Sequence, residues 1–346
     1  MQRTRGRMVA CGALALLLTA TAGGAQRIMA AGAAIKIAAP PFYSSALAFV
    51  ATELHFWQRE GLNVTLMPFN SGPQVNEALL GGSVDFGMGV GIGPAIALAA
   101  RNGKIVVVAS EAYGTSAVPA HLLMVRKDSP YTTPAQLDGK KIAVQAKGSI
   151  SYILLEAVAQ KFKIHPVVLE VPAISLAQAL SHGEIDAVET EIPFPQVIMT
   201  QGGKNIYGLP NDDVAPVLQY TVTLTTRRLA DTNPQEVVAV TRVILRTARW
   251  LMDNPDQARL IITNRLNYSS EIANMINPRA YAWSRNGYFV MSSVKWWGEQ
   301  MRSLQIIDRE PEYGAYFVRT FADQAVAGVG KVADPEFAKA NAVKLH

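Results

Sequence analysis

Two short stretches of this chain, ALLGGSVD at residues 78–85 and ALSHGEID at residues 179–186, share the pattern A-L-x-x-G-x-[VI]-D. A second match, KIA at residues 36–38 and again at 141–143, lies at nearly the same offset, 105 residues against 101. A helix that ends in a glycine cap before a strand would by itself explain the first match. Two matches at almost one offset favour a repeated unit, so we predict two lobes of like architecture.

Around these motifs, short β-branched stretches alternate with longer stretches of helical period, which is the pattern of βαβ units on a mainly parallel sheet. The predicted strands cover residues 35–39, 64–69, 84–87, 141–145, 167–171 and 185–188. The predicted helices cover residues 45–60, 73–80, 94–101, 149–162 and 174–180. Ligands of open parallel sheets bind beyond the carboxyl ends of the strands, so we expect the site in strand-to-helix loops at a cleft between the lobes.

The first 25 residues are predicted to be a secretory signal peptide. Three arginines precede an apolar stretch at residues 8–18, and small residues ending at Ala25 follow it. The apolar stretch is shorter than the roughly 20 residues that cross a bilayer. An uncleaved anchor is the alternative, and a cut as late as Ala33 is compatible with the pattern. We therefore expect a periplasmic protein.

Composition excludes several classes of protein. The chain has 346 residues, of which 49% are apolar and 17% charged, and this is typical of a globular protein with room for two lobes. Its one cysteine, Cys11, lies in the predicted leader, so we expect neither a disulfide nor thiolate chemistry. Losing the three leader arginines lowers the formal net charge from +5 to +2. No basic run with interleaved aromatics indicates nucleic-acid binding.

The stretch DFGMGVGIGPAIALAA at residues 85–100 places glycines at every second position between a predicted strand and a predicted helix. It fails the dinucleotide fingerprint G-x-G-x-x-G, because Ile92 or Pro94 stands where the last glycine is needed. It also lacks the Gly-Lys-Ser/Thr of a P-loop. We expect instead that Gly89, Gly91 and Gly93 let the backbone approach a bound group, and that the following helix N-terminus favours an anion.

Three other predicted loops carry hydroxyl groups directly before a helix, and their sequences are Tyr43-Ser44-Ser45, Asn70-Ser71-Gly72-Pro73 and Lys147-Gly148-Ser149-Ile150-Ser151. Any single serine is explained equally well as an N-cap of its own helix. Four donor-rich loops that the topology brings to one cleft favour a small bound oxyanion, held without a basic side chain.

Short motifs across the chain carry a more specific resemblance. They are SGPQ at 71–74 with EAL at 77–79, GSVDFG at 82–87, Pro94, VQ at 144–145 with KGS at 147–149, and DA at 186–187 followed by Pro193. These motifs resemble the aliphatic sulfonate, taurine and nitrate periplasmic binding proteins of ABC importers, and also their thiamine-precursor-binding relatives. The resemblance runs from about residue 35 to about residue 325.

The resemblance implies a type II periplasmic binding protein fold, which is α/β, with a mainly parallel sheet flanked by helices in each lobe. Residues 34–124 and 222–346 would form lobe 1 and residues 125–221 lobe 2, with strands at 122–126 and 218–226 carrying the crossings. It further implies a monomer that closes on a small organic anion or zwitterion by hinge motion. The partners would be an ABC permease and its ATPase subunits, and no cofactor, metal or catalytic residue is expected.

One segment departs from the family pattern. Where the family usually has a tryptophan and an acid before the proline, this chain reads VETEIP at residues 188–193. Strand alternation places Glu189 on the face of Ile185 and Ala187. A carboxylate repels a sulfonate unless the ligand also carries a cation. This favours a zwitterion such as taurine, or an amine-bearing heterocycle such as a thiamine-precursor pyrimidine, over nitrate. Alternatively, Glu189 and Glu191 point to solvent or pair with a lysine.

Aromatic side chains also fall in the predicted cleft loops, where we expect two or three of them to contact the ligand. They are Phe42, Tyr43, Tyr113, Tyr152 and Phe194. The full set of predicted ligand-binding residues is Tyr43, Ser44, Ser71, Gly72, Met88, Gly89, Val90, Tyr113, Ser149, Ser151, Tyr152, Glu189 and Glu191.

An enzyme or an extracytoplasmic sensor on the same fold is the alternative to a transport protein. Related pyrimidine-synthesis enzymes of fungi need, by resemblance, a histidine and a cysteine-rich patch that this chain lacks. The histidines, expected at the surface or in satisfied core positions, are His55, His121, His165, His182 and His346. No G-x-S-x-G motif is present. We therefore expect no enzymatic activity, whereas the sequence does not separate import from sensing.

Overall fold

The computed structural model describes residues 34–101 and 104–343. The predicted signal peptide at residues 1–25, its later cleavage site at Ala33 and the single cysteine Cys11 lie outside the described residues. Within the described ranges, no helix is both long enough and apolar enough to cross a membrane.

Strands and helices alternate through most of the chain. The strands are β1 (Ile35–Ala39), β2 (Val64–Pro68), β3 (Phe86–Gly91), β4 (Ile105–Thr115), β5 (His121–Arg126), β6 (Lys141–Val144), β7 (Val167–Glu170), β8 (Ala187–Glu191), β9 (Gly203–Leu209), β10 (Val217–Thr226) and β11 (Ala282–Trp283). The α-helices are α1 (Ala46–Glu53), α2 (Phe56–Arg59), α3 (Gly72–Leu80), α4 (Ile92–Ala100), α5 (Ile150–Phe162), α6 (Leu176–Ser181), α7 (Phe194–Thr200), α8 (Arg227–Thr232), α9 (Pro234–Asp253), α10 (Pro255–Arg265), α11 (Ser270–Met275), α12 (Met291–Ser303), α13 (Tyr313–Tyr316), α14 (Thr320–Val329) and α15 (Pro335–Ala342). Short 3₁₀ turns lie at Tyr43–Ser45, Pro134–Leu137 and Ala173–Ser175.

The strands form two sheets, with the orders β2-β1-β3-β10-β4-β11 and β7-β6-β8-β5-β9. In each sheet the first three strands pair in parallel, and an antiparallel strand, β10 or β5, lies beside the third. The chain passes between the sheets in residues 116–120 and 210–216, so each antiparallel strand is the first one after a passage. The lobe boundaries expected at 124–125 and 221–222 fall inside β5 and β10, each of which lies within a single sheet.

The repeated sequence motifs contact each other in the same way in both sheets. The Asp85 carboxylate accepts a hydrogen bond from the Lys36 backbone N–H at 2.8 Å, and the Asp186 carboxylate accepts one from Lys141 N–H at 2.9 Å. In return, each aspartate N–H donates to the carbonyl of that lysine at 2.8 Å. The aspartate therefore joins the start of the first strand to the start of the third. This explains why both motifs occur in both halves.

The first predicted helix, at residues 45–60, is two helices in the structure. His55 has φ 55°, in the left-handed region, and separates α1 from α2. Leu47, Val50 and Trp57 are all buried nevertheless, and Leu54 is half-buried. The break therefore changes the direction of the chain while its apolar side stays in the core.

Helix α5 joins the packing of both sheets. Ile150 and Ile153 belong to the large core around the first sheet, whereas Leu155 and Ala159 belong to a core of the second sheet. Because α5 follows β6 of the second sheet, it carries apolar side chains of one half of the molecule into the core of the other. This packing holds the loops before α3, α4 and α5 close together.

We predict that Asp85→Ala and Asp186→Ala each lower the free energy of unfolding by about 1 kcal/mol, because each removes one strand-joining hydrogen bond. Urea unfolding of the purified protein measures the effect, and Asp308→Ala, at an exposed carboxyl, is the control. Equal stabilities for all three variants would show that the repeated aspartates do not stabilise the strand pairing.

Candidate ligand-binding site between the two sheets

Four loops at the carboxyl ends of the strands meet around one small cavity. Its volume is ≈ 20 Å³, about the space of one water molecule. The lining residues are Pro40, Phe42, Ser44, Gly72, Pro73, Gly89, Gly91, Pro94, Gln145, Ser149, Ile150, Glu191 and Thr221. Each of the four donor-rich loops expected from the sequence contributes to this set, so the predicted convergence is confirmed.

A buried carboxylate of the second sheet lies at this cavity and binds groups from the first. Glu191, at the end of β8, is 4% exposed. Its Oε1 accepts a hydrogen bond from the Ser44 hydroxyl at 3.2 Å, and its Oε2 accepts one from the Tyr281 hydroxyl at 2.5 Å. Ser44 follows β1, and Tyr281 directly precedes β11. One carboxylate thus connects the two sheets at the cavity.

Two further titratable groups lie behind Glu191. The buried imidazole of His121 has its Nδ1 at 3.0 Å from Glu189 Oε1 and its Nε2 at 3.9 Å from Glu191 Oε2. Burial by itself would lower the pKa of His121, but attraction to the two carboxylates outweighs burial and raises that pKa. Burial raises the pKa of Glu191, against the attraction of His121. Both acids are therefore buried and paired with a histidine, so the alternative of solvent exposure or a lysine partner is wrong.

Buried polar atoms without a hydrogen-bond partner among the described residues concentrate around the cavity. They include Tyr43 Oη, Ser45 Oγ, Gln145 Oε1, Ser151 Oγ and Glu189 Oε2. A buried polar atom without a partner destabilises the fold by roughly 1–3 kcal/mol. Such a concentration is typical of a site that receives its missing partners from a bound molecule.

Gly89 and Gly91 of β3 and Gly93 in the first turn of α4 lie in close contact with other side chains of the protein. A Cβ atom at Gly89 would lie 2.1 Å from Ser45 Oγ, and one at Gly93 would lie 2.6 Å from the Ile153 side chain. At Gly91 the nearest atom would be an Ile150 carbon at 2.9 Å. The groups that approach these glycines in the structure are side chains of the protein, mainly from α5, while Gly89 and Gly91 also line the cavity.

The Gly89 amide is also engaged inside the protein. Its N–H donates to Glu111 Oε2 at 3.0 Å, and the Thr223 hydroxyl donates to the other oxygen of the same carboxylate. Burial raises the pKa of Glu111 to about 7, although these two hydrogen bonds lower it in part. Glu111 therefore holds the glycine loop from behind, and this amide does not point at the cavity as a free donor.

The structure brings only part of the predicted set to the cavity. Ser44, Gly72, Gly89, Ser149 and Glu191 line it. The Ser149 hydroxyl accepts from Tyr152 N–H at 3.3 Å, so this serine caps its own helix.

The other predicted residues lie outside the lining. Met88 and Val90 are fully buried in the core of the first sheet, which follows from strand alternation in β3. Tyr113 donates to Asp334 at 3.3 Å and packs in a separate cluster with Val217. Five more predicted residues do not line the cavity, although each lies within two positions of a lining residue along the chain. They are Tyr43, Ser71, Ser151, Tyr152 and Glu189.

Sequence reasoning did not single out His121, Tyr281 or Thr221. The Thr221 hydroxyl donates to the Ser44 carbonyl at 3.3 Å, and Tyr281 stacks on Tyr43 with ring centroids 6.2 Å apart. These residues are far from the loop motifs along the chain. The one available signal was the pair Glu189 and Glu191, which, once buried, needs a cationic or donor partner.

Larger cavities lie elsewhere in the described part of the chain. One of ≈ 610 Å³ is lined by Arg126 and residues 201–203, and one of ≈ 760 Å³ by Arg101 and residues 306–312. Neither is lined by the four donor loops, and within the described ranges no cluster of three or more metal-ligating side chains is present. The small cavity between the sheets is therefore the candidate site because of the polar groups that line it, although it is smaller than these two cavities.

We predict that Gly89→Ala is much more destabilising than Gly82→Ala. Both glycines have positive φ, 62° and 71°, but only at Gly89 would the added Cβ meet protein atoms, since nothing lies within 4 Å at Gly82. Gly82→Ala should cost about 1 kcal/mol from backbone strain, and Gly89→Ala a further 1–3 kcal/mol or so from overpacking. Urea unfolding measures both, and equal losses would contradict the close contact with Ser45.

We predict that Glu111→Gln makes stability less dependent on pH. Folding raises the pKa of the Glu111 carboxyl from 4.5 to about 7. The protonated carboxyl therefore stabilises the folded state fully below the unfolded pKa, and this stabilisation is lost as the pH rises through 7. The loss is on the order of 3 kcal/mol. Urea unfolding at several pH values between 5 and 8 should show a smaller decline for Glu111→Gln than for the wild type. Glu299→Gln, at an exposed position of α12, is the control, and parallel curves for wild type and Glu111→Gln would refute the prediction.

A family model described as NMT1/THI5 like matches residues 43–258, which is more than half of the chain. An Escherichia coli (strain K12) protein named for aliphatic sulfonate binding is 35% identical over 147 residues, which are 41% of this chain and 44% of that protein.

Solved structures at lower identity share the fold. The periplasmic aliphatic sulphonate-binding protein SsuA from Escherichia coli aligns at a TM-score of 0.67 with 19% identity, covering 83% of this chain and 92% of that one. The periplasmic nitrate-binding protein NrtA from Synechocystis PCC 6803 aligns at 0.71 with 14% identity, covering 90% and 91%. The desulfurization enzyme DSZB aligns at 0.62 with 14% identity, covering 85% and 99%. The predicted periplasmic binding protein fold is thus confirmed, and the chain belongs to the NMT1/THI5-like family.

Proposed function

We propose that this protein is the extracytoplasmic solute-binding component of an ABC importer. In this proposal it works as a monomer in the periplasm after removal of its signal peptide. It captures a small zwitterion or organic anion and delivers it to a membrane permease driven by ATPase subunits. The E. coli relative named for sulfonate binding and the sulphonate- and nitrate-binding structures support this class.

The observation that carries the proposal is that buried polar groups from both sheets meet at one small cavity. Ser44 and Thr221 come from the first sheet, and Gln145, Ser149 and Glu191 from the second. A cavity of ≈ 20 Å³ admits no solute larger than water, so the two halves must separate before a ligand enters and close again around it. The passages at 116–120 and 210–216 are the natural hinges, with residues 34–115 and 217–343 as one lobe and 121–209 as the other.

The charges at the cavity favour a zwitterion within this ligand class. Among the described lining residues Glu191 is the only charged one. The N-termini of α3 and α5 also reach the cavity through Gly72 and Ile150, and helix N-termini favour anionic groups. A ligand with an ammonium group toward Glu191 and a sulfonate toward the helix ends satisfies both sides.

An amine-bearing heterocycle is the second candidate. It is favoured by the Phe42 ring, which lines the same cavity as Glu191 and lies 5.8 Å from the Phe194 ring, edge to face. A flat ring could stack there while its amino group binds Glu191. A sensor role would use the same binding site with a different partner.

We propose that the protein performs no catalysis. The DSZB structure has the same fold, so the fold alone does not decide this question. The support comes from the site, where the one nearby histidine is buried and hydrogen-bonded to Glu189, with no serine or cysteine nucleophile beside it among the described contacts. A histidine in that position has no reacting group to serve.

A thermal-shift screen of the purified protein tests the function. We expect a rise in melting temperature with taurine, ethanesulfonate or an aminopyrimidine, because a ligand at 100 times its Kd adds about 2.7 kcal/mol to the free energy of unfolding. Nitrate and benzoate complete the screen. No shift with any of the five compounds would overturn the proposed ligand class.

We predict that Glu191→Gln weakens taurine binding by roughly 10- to 100-fold, because a charge-assisted hydrogen bond to the ammonium group is worth about 1.5–3 kcal/mol. Ethanesulfonate, which lacks the amine, should not bind more weakly to this variant. Isothermal calorimetry measures both affinities, with Glu299→Gln as the matched control. An equal loss for the two ligands would refute the assigned role of Glu191.

A further inference from the structure

Three buried titratable side chains lie together at the cavity, with Glu191 in its lining and His121 and Glu189 behind Glu191. His121 is 0% exposed, Glu189 1% and Glu191 4%. His121 is at the start of β5, and the two acids are on the adjacent strand β8, where His121 pairs with Glu191 and Leu123 with Glu189. The antiparallel pairing therefore brings one imidazole against two carboxylates.

The groups that face the imidazole come from three directions. Glu189 and Glu191 approach from β8, and the Tyr220 ring from β10, with its centroid 5.0 Å from that of His121. Tyr281 reaches the cluster through its hydrogen bond to Glu191. The tyrosines are neutral, so the charge of the cluster is decided by two acids and one histidine.

The charge balance makes the three groups depend on each other. Burial raises the pKa of Glu191, and repulsion by the neighbouring Glu189 carboxylate raises it further. An imidazolium between them offsets both effects, because it is hydrogen-bonded to Glu189 and attracts Glu191 at 3.9 Å. Without it, Glu191 would hold a proton more readily.

We propose that His121 determines ligand selectivity by keeping Glu191 ionised, without touching the ligand itself. His121 is absent from the cavity lining, whereas Glu191 lines it. This inference rests on the proposed solute-binding function. It states that a residue outside the cavity determines whether ligands with an amine are preferred over ligands without one. His121 is thus a positioning residue for charge.

Calorimetry with three small probes tests the proposal. Taurine has an ammonium and a sulfonate group, ethanesulfonate has only the sulfonate, and ethylamine only the ammonium. We expect the wild type to prefer taurine over ethanesulfonate at least tenfold at pH 7. In His121→Gln this ratio should fall by tenfold or more, and the preference should return only at higher pH, where Glu191 ionises without help.

A double variant separates charge from structure. His121→Gln with Glu189→Gln removes the imidazole and the repelling carboxylate together, so Glu191 ionises more readily than in His121→Gln alone. The preference for taurine should then recover in part, although two side chains have been changed. A merely structural role of His121 predicts a further loss instead.

Histidine NMR gives a readout that needs no ligand. In protein labelled at histidine, one imidazole signal, assigned by its loss in His121→Gln, should stay protonated to higher pH than an ordinary imidazole. Glu189→Gln should lower the pKa of that signal.

Three results separate the possible failures. A His121 signal that is neutral across pH 5–8 overturns the charge-setting role. Probe binding with an unchanged ratio in His121→Gln overturns it as well, while the proposed function stands. If no probe binds to the wild type while the His121 signal stays protonated as expected, the proposed ligand class and the selectivity inferred from it are overturned.

Discussion

Burial of the Glu191 carboxylate between two sheets is the constraint around which the centre of this molecule is organised. A buried carboxylate must find donors, and Glu191 finds one hydroxyl after β1, at Ser44, and one before β11, at Tyr281. Both donors belong to the sheet opposite its own. The polar contact that satisfies the acid is therefore also a contact between the two halves. A solute that replaces those hydroxyls would bind Glu191 and at the same time change the contact between the two halves.

Small residues make this approach of the halves possible. Gly91 and Gly93 leave space for Ile150 and Ile153 of α5, so an apolar contact lies beside the polar one. On the other side of β3, Glu111 accepts a hydrogen bond from the Gly89 amide and so holds the part of the chain that forms one wall of the cavity. The polar centre is thus surrounded by close packing, which keeps its electrostatic interactions strong by excluding water.

How far the sequence predicted the site differs from group to group. The loops at Ser44, Gly72 and Ser149 were predictable, because strand ends and helix starts are local signals and the topology brings strand ends together. The close packing around Gly89, Gly91 and Gly93 was not predictable, because the side chains that contact them, Ser45, Ile150 and Ile153, lie on other elements. His121 and Tyr281 were not predictable either. They reach Glu191 through strand pairing and packing across 70 and 90 residues of chain, respectively, for which the sequence holds no local pattern.

The sequence by itself determined the α/β class, the repeated unit and the placement of polar loops before helices, because these follow from hydrophobic period and from local hydrogen bonds such as that of Asp85 to Lys36 N–H. Only the tertiary structure decided that Glu189 and Glu191 are buried, that a histidine lies against both, and that Met88, Val90 and Tyr113 belong to the core. The physical reason is that charge state and burial depend on neighbours in space. Those neighbours are chosen by the packing of whole sheets and not by adjacent residues.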